Sequence, residues 1–220
     1  MINNSMHHDC GIIGSFISDA ELDGICETLA RLDPTTPKAG GRCHGLDKKS
    51  KAYPWFKKVM LDRLKAAFDE DLDLIFGMLL HSTKPFGVHS DHFELTVPGK
   101  QFKSFLIPLD VDGSTDRIDS AKTIIFNEID EYAKMPVNPT ALHLPPLARD
   151  AQSALDIWQQ DLSHIPRDSA EVLSVKMSAT WRKGDLIHWD SLLLHTSNDF
   201  LARGCRYKEC IVMHTFLPDA

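Results

Sequence analysis

The 220-residue sequence contains no run of apolar residues long enough to cross a membrane, because a spanning helix needs roughly 20 of them in succession. Its opening residues, Met1 to Ser5, lack the basic and then apolar order of a secretory signal peptide. Its five cysteines are odd in number and scattered, which is typical of reduced thiols rather than of a disulfide framework. We therefore expect a cytoplasmic protein with no membrane partner.

Basic charge is also scarce. Lysine and arginine number 24 against 31 aspartates and glutamates, so the formal net charge is −7. No long basic run is present, and the sequence therefore offers no general footprint for a phosphate backbone. This balance argues against a nucleic-acid partner and favours a small-molecule substrate.

Repeats and low-complexity stretches are absent as well. The composition, with 43% hydrophobic and 25% charged residues, is typical of an ordinary globular protein. A chain of 220 residues can bury one good hydrophobic core but is short for two. We predict a single domain that covers residues 1–220, and no interface stripe in the sequence indicates its oligomeric state.

Two helices are predicted in the N-terminal third of the chain. Residues Ser18 to Glu21 form a capping box, and apolar residues follow at helical spacing as far as Leu32. A second helix is predicted from Pro54 to about Glu70, since proline suits the first helical turn. Together they predict a helical buttress over about residues 16–70.

Short β-rich runs dominate the remainder, and each is bounded by proline, glycine or aspartate. They cover residues 73–82, 103–109, 122–127, 173–182, 185–194 and 206–217. Residues 145–162 carry a helical pattern and are interpreted as an insertion. Helices followed by many short strands predict a mainly β barrel or sandwich over about residues 73–217, with the N-terminal helices packed on one sheet.

The segment His89-Ser90-Asp91 places two metal-binding side chains at the end of a strand-like run. In extended chain, residues two apart point to the same face. One further histidine from another strand would complete a two-histidine, one-carboxylate face, which suits ferrous iron and leaves positions open. His195 is the best candidate, 106 residues after the first histidine (195 minus 89). The predicted metal ligands and catalytic residues are thus His89, Asp91 and His195.

A second set of metal ligands is possible. His188 and Asp190 have the same spacing, and His214 could serve as their third ligand. Only 24 residues would then separate Asp190 from His214 (214 minus 190), and this short separation favours the first set. The segment from His7 to Cys10 also contains metal-binding residue types, but a solvated terminus is the better interpretation.

Taken in order, these motifs resemble those of the cupin-fold iron(II)/2-oxoglutarate dioxygenases, especially the phytanoyl-CoA hydroxylase-like and prolyl-hydroxylase-like branches. In those families the first motif follows a strand, a Gly-Asp-apolar run later ends in Asp-Ser and a histidine, and a basic residue comes soon afterwards. The matching positions here are His89, Asp91, Gly184-Asp185, Asp190-Ser191, His195 and Arg206. The resemblance covers about residues 73–216.

This resemblance implies a double-stranded β-helix, or jelly roll, that holds Fe(II) and takes 2-oxoglutarate as co-substrate. It implies that molecular oxygen oxidises a small-molecule or amino-acid-type substrate, usually by hydroxylation, with release of succinate and CO2. Related halogenases have a small residue in place of the triad carboxylate, so Asp91 argues against halogenation. The identity of the primary substrate is not encoded in these motifs.

A buried cation is expected at the far carboxylate of 2-oxoglutarate. Arg206 is the preferred candidate, 11 residues after His195 (206 minus 195), because a guanidinium binds a carboxylate through two parallel hydrogen bonds. Lys208 points the same way along the predicted strand, and Arg203 precedes it, so either is an alternative. Hydroxyl or amide donors must satisfy the remaining lone pairs of the carboxylate. The candidates for that role are Thr123, Asn127 and Ser104.

Two other functions fit parts of the pattern. One is a cupin-like metalloprotein that does not use 2-oxoglutarate, and the cation at the end of the pocket distinguishes it from an oxygenase. The other is a non-catalytic binding barrel. An intact triad argues against the second, since nothing structural requires these three side chains to converge.

Overall fold

The computed structural model describes residues 9–32, 43–91, 102–112, 120–130 and 152–217. Helix α1 (Asp19–Leu32) begins at the predicted capping box, in which the Glu21 backbone N–H donates to Ser18 Oγ and the Ser18 hydroxyl donates to Glu21 Oε2 at 2.7 Å. Helix α2 (Tyr53–Phe68) ends where Asp69 adopts a left-handed conformation. No helix in these ranges is long and apolar enough to span a bilayer.

Ten strands in the described ranges form two antiparallel sheets. The larger sheet has the order β1-β8-β4-β10-β3-β2, and the smaller has the order β6-β7-β5-β9. The strands are β1 (Cys10–Ile13), β2 (Cys43–Leu46), β3 (Asp73–Ser82), β4 (Phe102–Val111), β5 (Lys122–Ile129), β6 (Gln152–Ser153), β7 (Ser174–Thr180), β8 (Leu186–Asp190), β9 (Leu193–Ser197) and β10 (Lys208–Phe216).

The predicted mainly β fold is confirmed, with three differences in its elements. Strands β1 and β2 were not predicted. The single run predicted over residues 185–194 is divided by a turn at Ser191 and Leu192, and its two halves lie in different sheets. In the described part of the predicted helix, residues 152–162, the chain has strand β6, a 3-10 helix (Ala154–Ile157) and the short helix α3 (Trp158–Asp161), and a second short helix, α4 (Arg167–Glu171), follows. Residues 145–151 lie outside the described residues.

Helices α1 and α2 pack on the outer face of the larger sheet, as predicted. Leu22 of α1 and Phe56 of α2 share a buried cluster with Ile211 of β10. Because side chains alternate along a strand, Cys210 and Val212 face the opposite way, into a second cluster between the two sheets. Burial of each large apolar side chain contributes roughly 1.5–3 kcal/mol, so the helices fix which face of β10 points inward.

The outer face of the smaller sheet is covered by the segment that follows β6. Ile124 and Phe126 of β5 pack there against Ala154, Leu162 and Leu173. Both sheets are therefore covered on the outside. The side chains that point into the space between the sheets line a cavity.

A tight turn before β8 ties the start of α1 to the larger sheet. Gly184 has a φ of 79°, and its carbonyl accepts a hydrogen bond from the Ile17 N–H at 2.9 Å. A Cβ at Gly184 would lie 2.1 Å from the Ile17 carbonyl oxygen. Only glycine fits this position without displacing the backbone.

We therefore predict that Gly184→Ala lowers the free energy of unfolding by roughly 1–3 kcal/mol, since it adds both strain and a clash. The matched variant Gly24→Ala places a methyl group in open space on the exposed side of α1, and it should raise stability by roughly 0.5–1 kcal/mol. Chemical denaturation measures both. Shifts of the same sign would contradict this description of the turn.

Candidate metal centre

Two backbone hydrogen bonds join the segments that carry the predicted ligands. The His89 N–H donates to the His195 carbonyl at 3.0 Å, and the His195 N–H donates to the His89 carbonyl at 2.8 Å. The Asp91 N–H then donates to the Ser191 carbonyl at 3.1 Å. The segment around His89 thus lies beside β9, whose other neighbour is β5.

The three predicted ligands converge on one point. Their ligand atoms all lie within 4.8 Å of one another, and in the part of the chain that the structure describes they form the one such group able to hold a metal. Asp91 Oδ1 is 3.5 Å from His195 Nε2. Two ligand bonds of about 2.1 Å at right angles would separate their atoms by about 3 Å, so this pair already approximates one edge of an octahedron.

Backbone carbonyls orient both imidazoles. His89 Nδ1 lies 2.7 Å from the Gly87 carbonyl oxygen, and His195 Nδ1 lies 3.0 Å from the Leu193 carbonyl oxygen. A carbonyl only accepts, so each Nδ1 carries the proton and each Nε2 presents its lone pair to the site. This arrangement is typical of histidines that bind metals.

The electrostatics of the site suit a divalent cation. Burial acts to raise the pKa of Asp91, but His195, His214 and Ser104 outweigh it and hold that pKa well below its ordinary value. Partial desolvation of the His89 ring and the nearby charge of His195 lower the pKa of His89. Burial acts to lower the pKa of His195, but Asp91 outweighs it and raises it. An ionised Asp91 and a neutral His89 are the forms that bind metal.

A cavity of about 320 Å³ adjoins the three ligands. Strand β10 contributes every second residue to its wall, namely Lys208, Cys210, Val212 and His214. Phe86, which is 39% exposed, lines the same cavity with its ring 5.8 Å from that of His89. The cavity therefore extends from a solvent-exposed aromatic beside one ligand to a buried lysine.

Lys208 is the unusual residue of this cavity. It is 3% exposed, and its Nζ lies 4.2 Å from the centre of the Trp181 ring and 5.5 Å from that of Phe200. Burial lowers the pKa of Lys208 to about 8. No carboxylate among the described residues forms a salt bridge with it. A buried cation without a counter-ion costs free energy, and this makes it a candidate binding group for an anion.

Thr123 supplies a hydroxyl to the same cavity. Its Oγ1 accepts a hydrogen bond from Trp181 Nε1 at 2.9 Å. The hydroxyl proton of Thr123 thus stays available as a donor, because a threonine can accept and donate at once. Trp181 links the two groups, since its ring contacts Lys208 and its N–H fixes Thr123.

The structure does not bring Arg206 to the cavity. The Arg206 side chain is 80% exposed, and its Nε is 2.6 Å from Asp112 Oδ1. Strand β10 begins only at Lys208, so Arg206 lies in the irregular segment before it and points outward. Of the two candidate cations, Lys208 therefore lines the cavity and Arg206, which the sequence favoured, does not. Arg203 is also engaged elsewhere, 2.5 Å from the buried Asp161.

Two predicted donors also lie away from the cavity lining. Asn127 Nδ2 donates to Ser174 Oγ at 3.0 Å, and Asn127 does not contribute to the cavity wall. Ser104 is fully buried beside the site, where its hydroxyl contacts Ser191 Oγ and His214 Nδ1. Of the three donors that the sequence indicated, only Thr123 faces the cavity.

The alternative ligand set does not converge. His188 lies on the outer face of β8 with its ring 5.0 Å from that of Phe68 in α2, whereas Trp189 faces the cavity. His188 and His214 are thus on opposite sides of the larger sheet. In the N-terminal cluster, residues 7–8 lie outside the described residues.

Sequence reasoning missed the part played by two residues beside Asp91. Trp189 Nε1 donates to Asp91 Oδ2 at 3.0 Å. His214, considered only as an alternative ligand, has its Nδ1 4.0 Å from the same oxygen. Alternation along each strand could have indicated both, since Trp189 lies opposite His188 and His214 shares the face of Lys208.

Comparison with known proteins adds information on the fold. No protein-family model matches the sequence, and no curated protein is significantly similar to it. Among solved structures, the non-haem alpha ketoglutarate dependent carbocyclase SnoK from nogalamycin biosynthesis aligns with a TM-score of 0.55 at 10% identity, over 96% of this chain and 81% of that one.

Two further structures are similar. EvdO2 from Micromonospora carbonacea var. aurantiaca, complexed with 2-oxoglutarate, aligns with a TM-score of 0.53 at 13% identity, over 97% of this chain and 88% of that one. HygX from Streptomyces hygroscopicus, with nickel and 2-oxoglutarate bound, aligns with a TM-score of 0.51 at 18% identity, over 96% of this chain and 82% of that one. At these identities the similarity shows the fold alone, and at that level the predicted jelly roll is confirmed.

We predict that Mn²⁺ raises the melting temperature of the wild-type protein and that Asp91→Ala and His195→Ala remove this effect. An ion at 100 times its dissociation constant stabilises the folded state by about 2.7 kcal/mol. Differential scanning fluorimetry, together with metal analysis after desalting, measures both. His81→Gln, which alters a histidine paired with Glu209, is the matched control and should retain the response. Full metal content in Asp91→Ala would refute the assignment.

Proposed function

We propose that the protein is an iron(II)- and 2-oxoglutarate-dependent oxygenase that hydroxylates a small-molecule or amino-acid-type substrate with molecular oxygen and releases succinate and CO2. One observation carries the proposal: a single cavity holds both the His89, Asp91 and His195 triad and the buried Lys208. Many metalloproteins have a triad. A buried cation in the same cavity additionally suits a co-substrate with two carboxylates.

The chain's own contribution to such a reaction is positioning. The ligand atoms of His89, Asp91 and His195 lie within 4.8 Å of one another and would hold the ion, and a set of two histidines and one carboxylate would leave coordination positions for other ligands. When bound, ferrous iron and 2-oxoglutarate supply the oxygen chemistry, in which the keto acid provides two electrons and one oxygen atom enters the product. The presence of Asp91 supports hydroxylation rather than halogenation.

Lys208 and Thr123 would hold the far carboxylate of the co-substrate. A cation that is 3% exposed attracts a carboxylate strongly, because little water screens the pair. The Trp181 and Phe200 rings exclude solvent from the ammonium group, and the Thr123 hydroxyl supplies a second donor. HygX and EvdO2, which have a similar fold, both have structures with 2-oxoglutarate bound, and this supports the role.

The alternatives make different demands on the cavity. A cupin-like metalloprotein that does not use 2-oxoglutarate has no need of a buried lysine that forms no salt bridge with any carboxylate among the described residues. A non-catalytic binding barrel has no need of two histidines and a carboxylate whose ligand atoms lie within 4.8 Å of one another. A small-molecule primary substrate and a cytoplasmic location remain predictions from the sequence.

The proposal is tested by Lys208→Met, which keeps the length and apolar stem of the side chain and removes its charge. In the presence of Mn²⁺, 2-oxoglutarate should raise the melting temperature of the wild type further, and Lys208→Met should lose this increment while retaining the response to Mn²⁺ alone. Arg206→Ala is the control and should keep both responses, because its side chain is exposed and paired with Asp112.

Succinate formation gives the second measurement. The Fe(II)-loaded wild type should convert 2-oxoglutarate to succinate in air, and Lys208→Met should be slower by at least about tenfold, the equivalent of one lost charge-assisted hydrogen bond. If Arg206→Ala instead loses the response to 2-oxoglutarate and Lys208→Met keeps it, the co-substrate assignment is wrong. A wild type that binds Mn²⁺ but neither binds nor consumes 2-oxoglutarate supports the metalloprotein alternative.

Binding of 2-oxoglutarate should also depend on pH. The pKa of Lys208 is lowered to about 8 in the protein, so the empty cavity loses its charge as the pH rises through that value. A dicarboxylate requires the charged lysine, and affinity should therefore fall by up to about tenfold per pH unit above pH 8. Lys208→Arg stays charged and should show no such decrease. Titration calorimetry of the Mn²⁺-loaded proteins measures this, and a flat wild-type profile would contradict it.

A further inference from the structure

The two oxygens of the Asp91 carboxylate have different surroundings. Oδ1 faces the site, 3.5 Å from His195 Nε2. Oδ2 accepts a hydrogen bond from Trp189 Nε1 at 3.0 Å and lies 4.0 Å from His214 Nδ1. The side chain is 9% exposed, so protein groups rather than water determine its orientation.

We propose that Trp189 and His214 are positioning residues that hold Asp91 Oδ2 away from the metal, so that the carboxylate offers Oδ1 alone as a ligand. The inference rests on the metal centre of the proposed function and does not depend on 2-oxoglutarate. These two residues would thus help to determine how many coordination positions of the ion are occupied by protein atoms.

Trp189 is well suited to this task. Trp189 lies in β8 and is 2% exposed, and the centre of its ring is 4.8 Å from the centre of the His195 ring. The indole N–H donates a hydrogen bond but has no lone pair to offer a metal, so it can hold Oδ2 without competing as a ligand. One rigid side chain therefore contacts two of the three ligands.

His214 is held by its own partners. It is 3% exposed on β10, its Nδ1 is 3.1 Å from Ser104 Oγ, and Ser104 Oγ is 2.8 Å from Ser191 Oγ. The Phe76 ring packs against it at 4.7 Å. The Ser104 hydroxyl also helps to lower the pKa of Asp91. A connected polar network of this kind, buried between strands, restricts the carboxylate to one orientation.

The consequence concerns the coordination of the ion. Three single-atom ligands occupy three of the six positions of an octahedral ion, and a carboxylate that bound through both oxygens would occupy a fourth. A co-substrate that chelated the ion through two atoms would need positions that the protein does not occupy. Restriction of Asp91 to one oxygen keeps those positions open.

The experiment compares full-length Trp189→Phe, His214→Leu and His214→Asn with the wild type. Trp189→Phe keeps an aromatic ring and removes only the donor, whereas the amide nitrogen of His214→Asn replaces Nδ1. We expect Trp189→Phe and His214→Leu to weaken Mn²⁺ binding by roughly tenfold or more, the usual effect of losing a group that orients a metal ligand. They should also change the visible absorption of the Co²⁺-loaded protein, which reports coordination number. His214→Asn should remain close to the wild type.

Controls separate positioning from loss of fold. Circular dichroism and thermal unfolding are measured for each variant, and His188→Leu, on the outer face of β8 beside Trp189, should leave Mn²⁺ affinity and the Co²⁺ spectrum unchanged. If His214→Leu does not fold, Ser104→Ala removes the hydrogen-bond partner of the imidazole instead and should show a smaller change in the same direction. Folded Trp189→Phe and His214→Leu proteins with wild-type Mn²⁺ affinity and Co²⁺ spectra overturn the inference.

The outcomes also distinguish this inference from the proposed function. Altered metal binding in the two variants, with no effect of 2-oxoglutarate on the wild type, supports the inference and rejects the oxygenase proposal. A wild type that consumes 2-oxoglutarate, with variants that match its metal affinity and spectrum, rejects the inference alone. A wild type that binds neither Mn²⁺ nor Co²⁺ overturns both.

Discussion

The pair of backbone hydrogen bonds between His89 and His195 is the interaction on which the site depends. It joins residues 106 positions apart (195 minus 89), and closing a loop of that length costs about 4 kcal/mol of chain entropy. Two hydrogen bonds contribute only about 1 kcal/mol each, so the pairing persists because the core between the sheets already holds β9 beside β5. Once the two histidines are paired, Asp91 follows two residues later on the same face.

The same framework gives the cavity its two different ends. The helices on the outside of the larger sheet determine which residues of β10 face inward, and Lys208 is therefore buried between the aromatic rings of Trp181 and Phe200. At the other end, Phe86 and His89 are exposed to solvent. A co-substrate anchored on the lysine would lie inside, and a primary substrate would approach the metal from the exposed side.

Most of the correct predictions from the sequence came from the local periodicity of apolar and polar residues. The boundaries of β3 match the predicted run 73–82, and the spacing of His89 and Asp91 alone indicates that their side chains share a face. Nothing local identifies His195 as their partner, and that assignment came from the order of motifs in a resembling family. The break between β8 and β9 could not be predicted from the sequence, because neither residue of the turn, Ser191 or Leu192, is the glycine or proline that usually marks one.

The choice between Arg206 and Lys208 shows where local reasoning ends. The two residues are two positions apart, so in an extended strand both side chains would point inward. The strand begins at Lys208, and Asp112, in a left-handed conformation with a φ of 56°, binds Arg206 on the surface.

Anomalous diffraction from crystals grown without oxygen, with Mn²⁺ and 2-oxoglutarate, tests the whole account most directly. We expect one manganese peak among His89, Asp91 and His195, with the far carboxylate of the diacid against Lys208. A manganese ion elsewhere, or a diacid bound at Arg206, would contradict it.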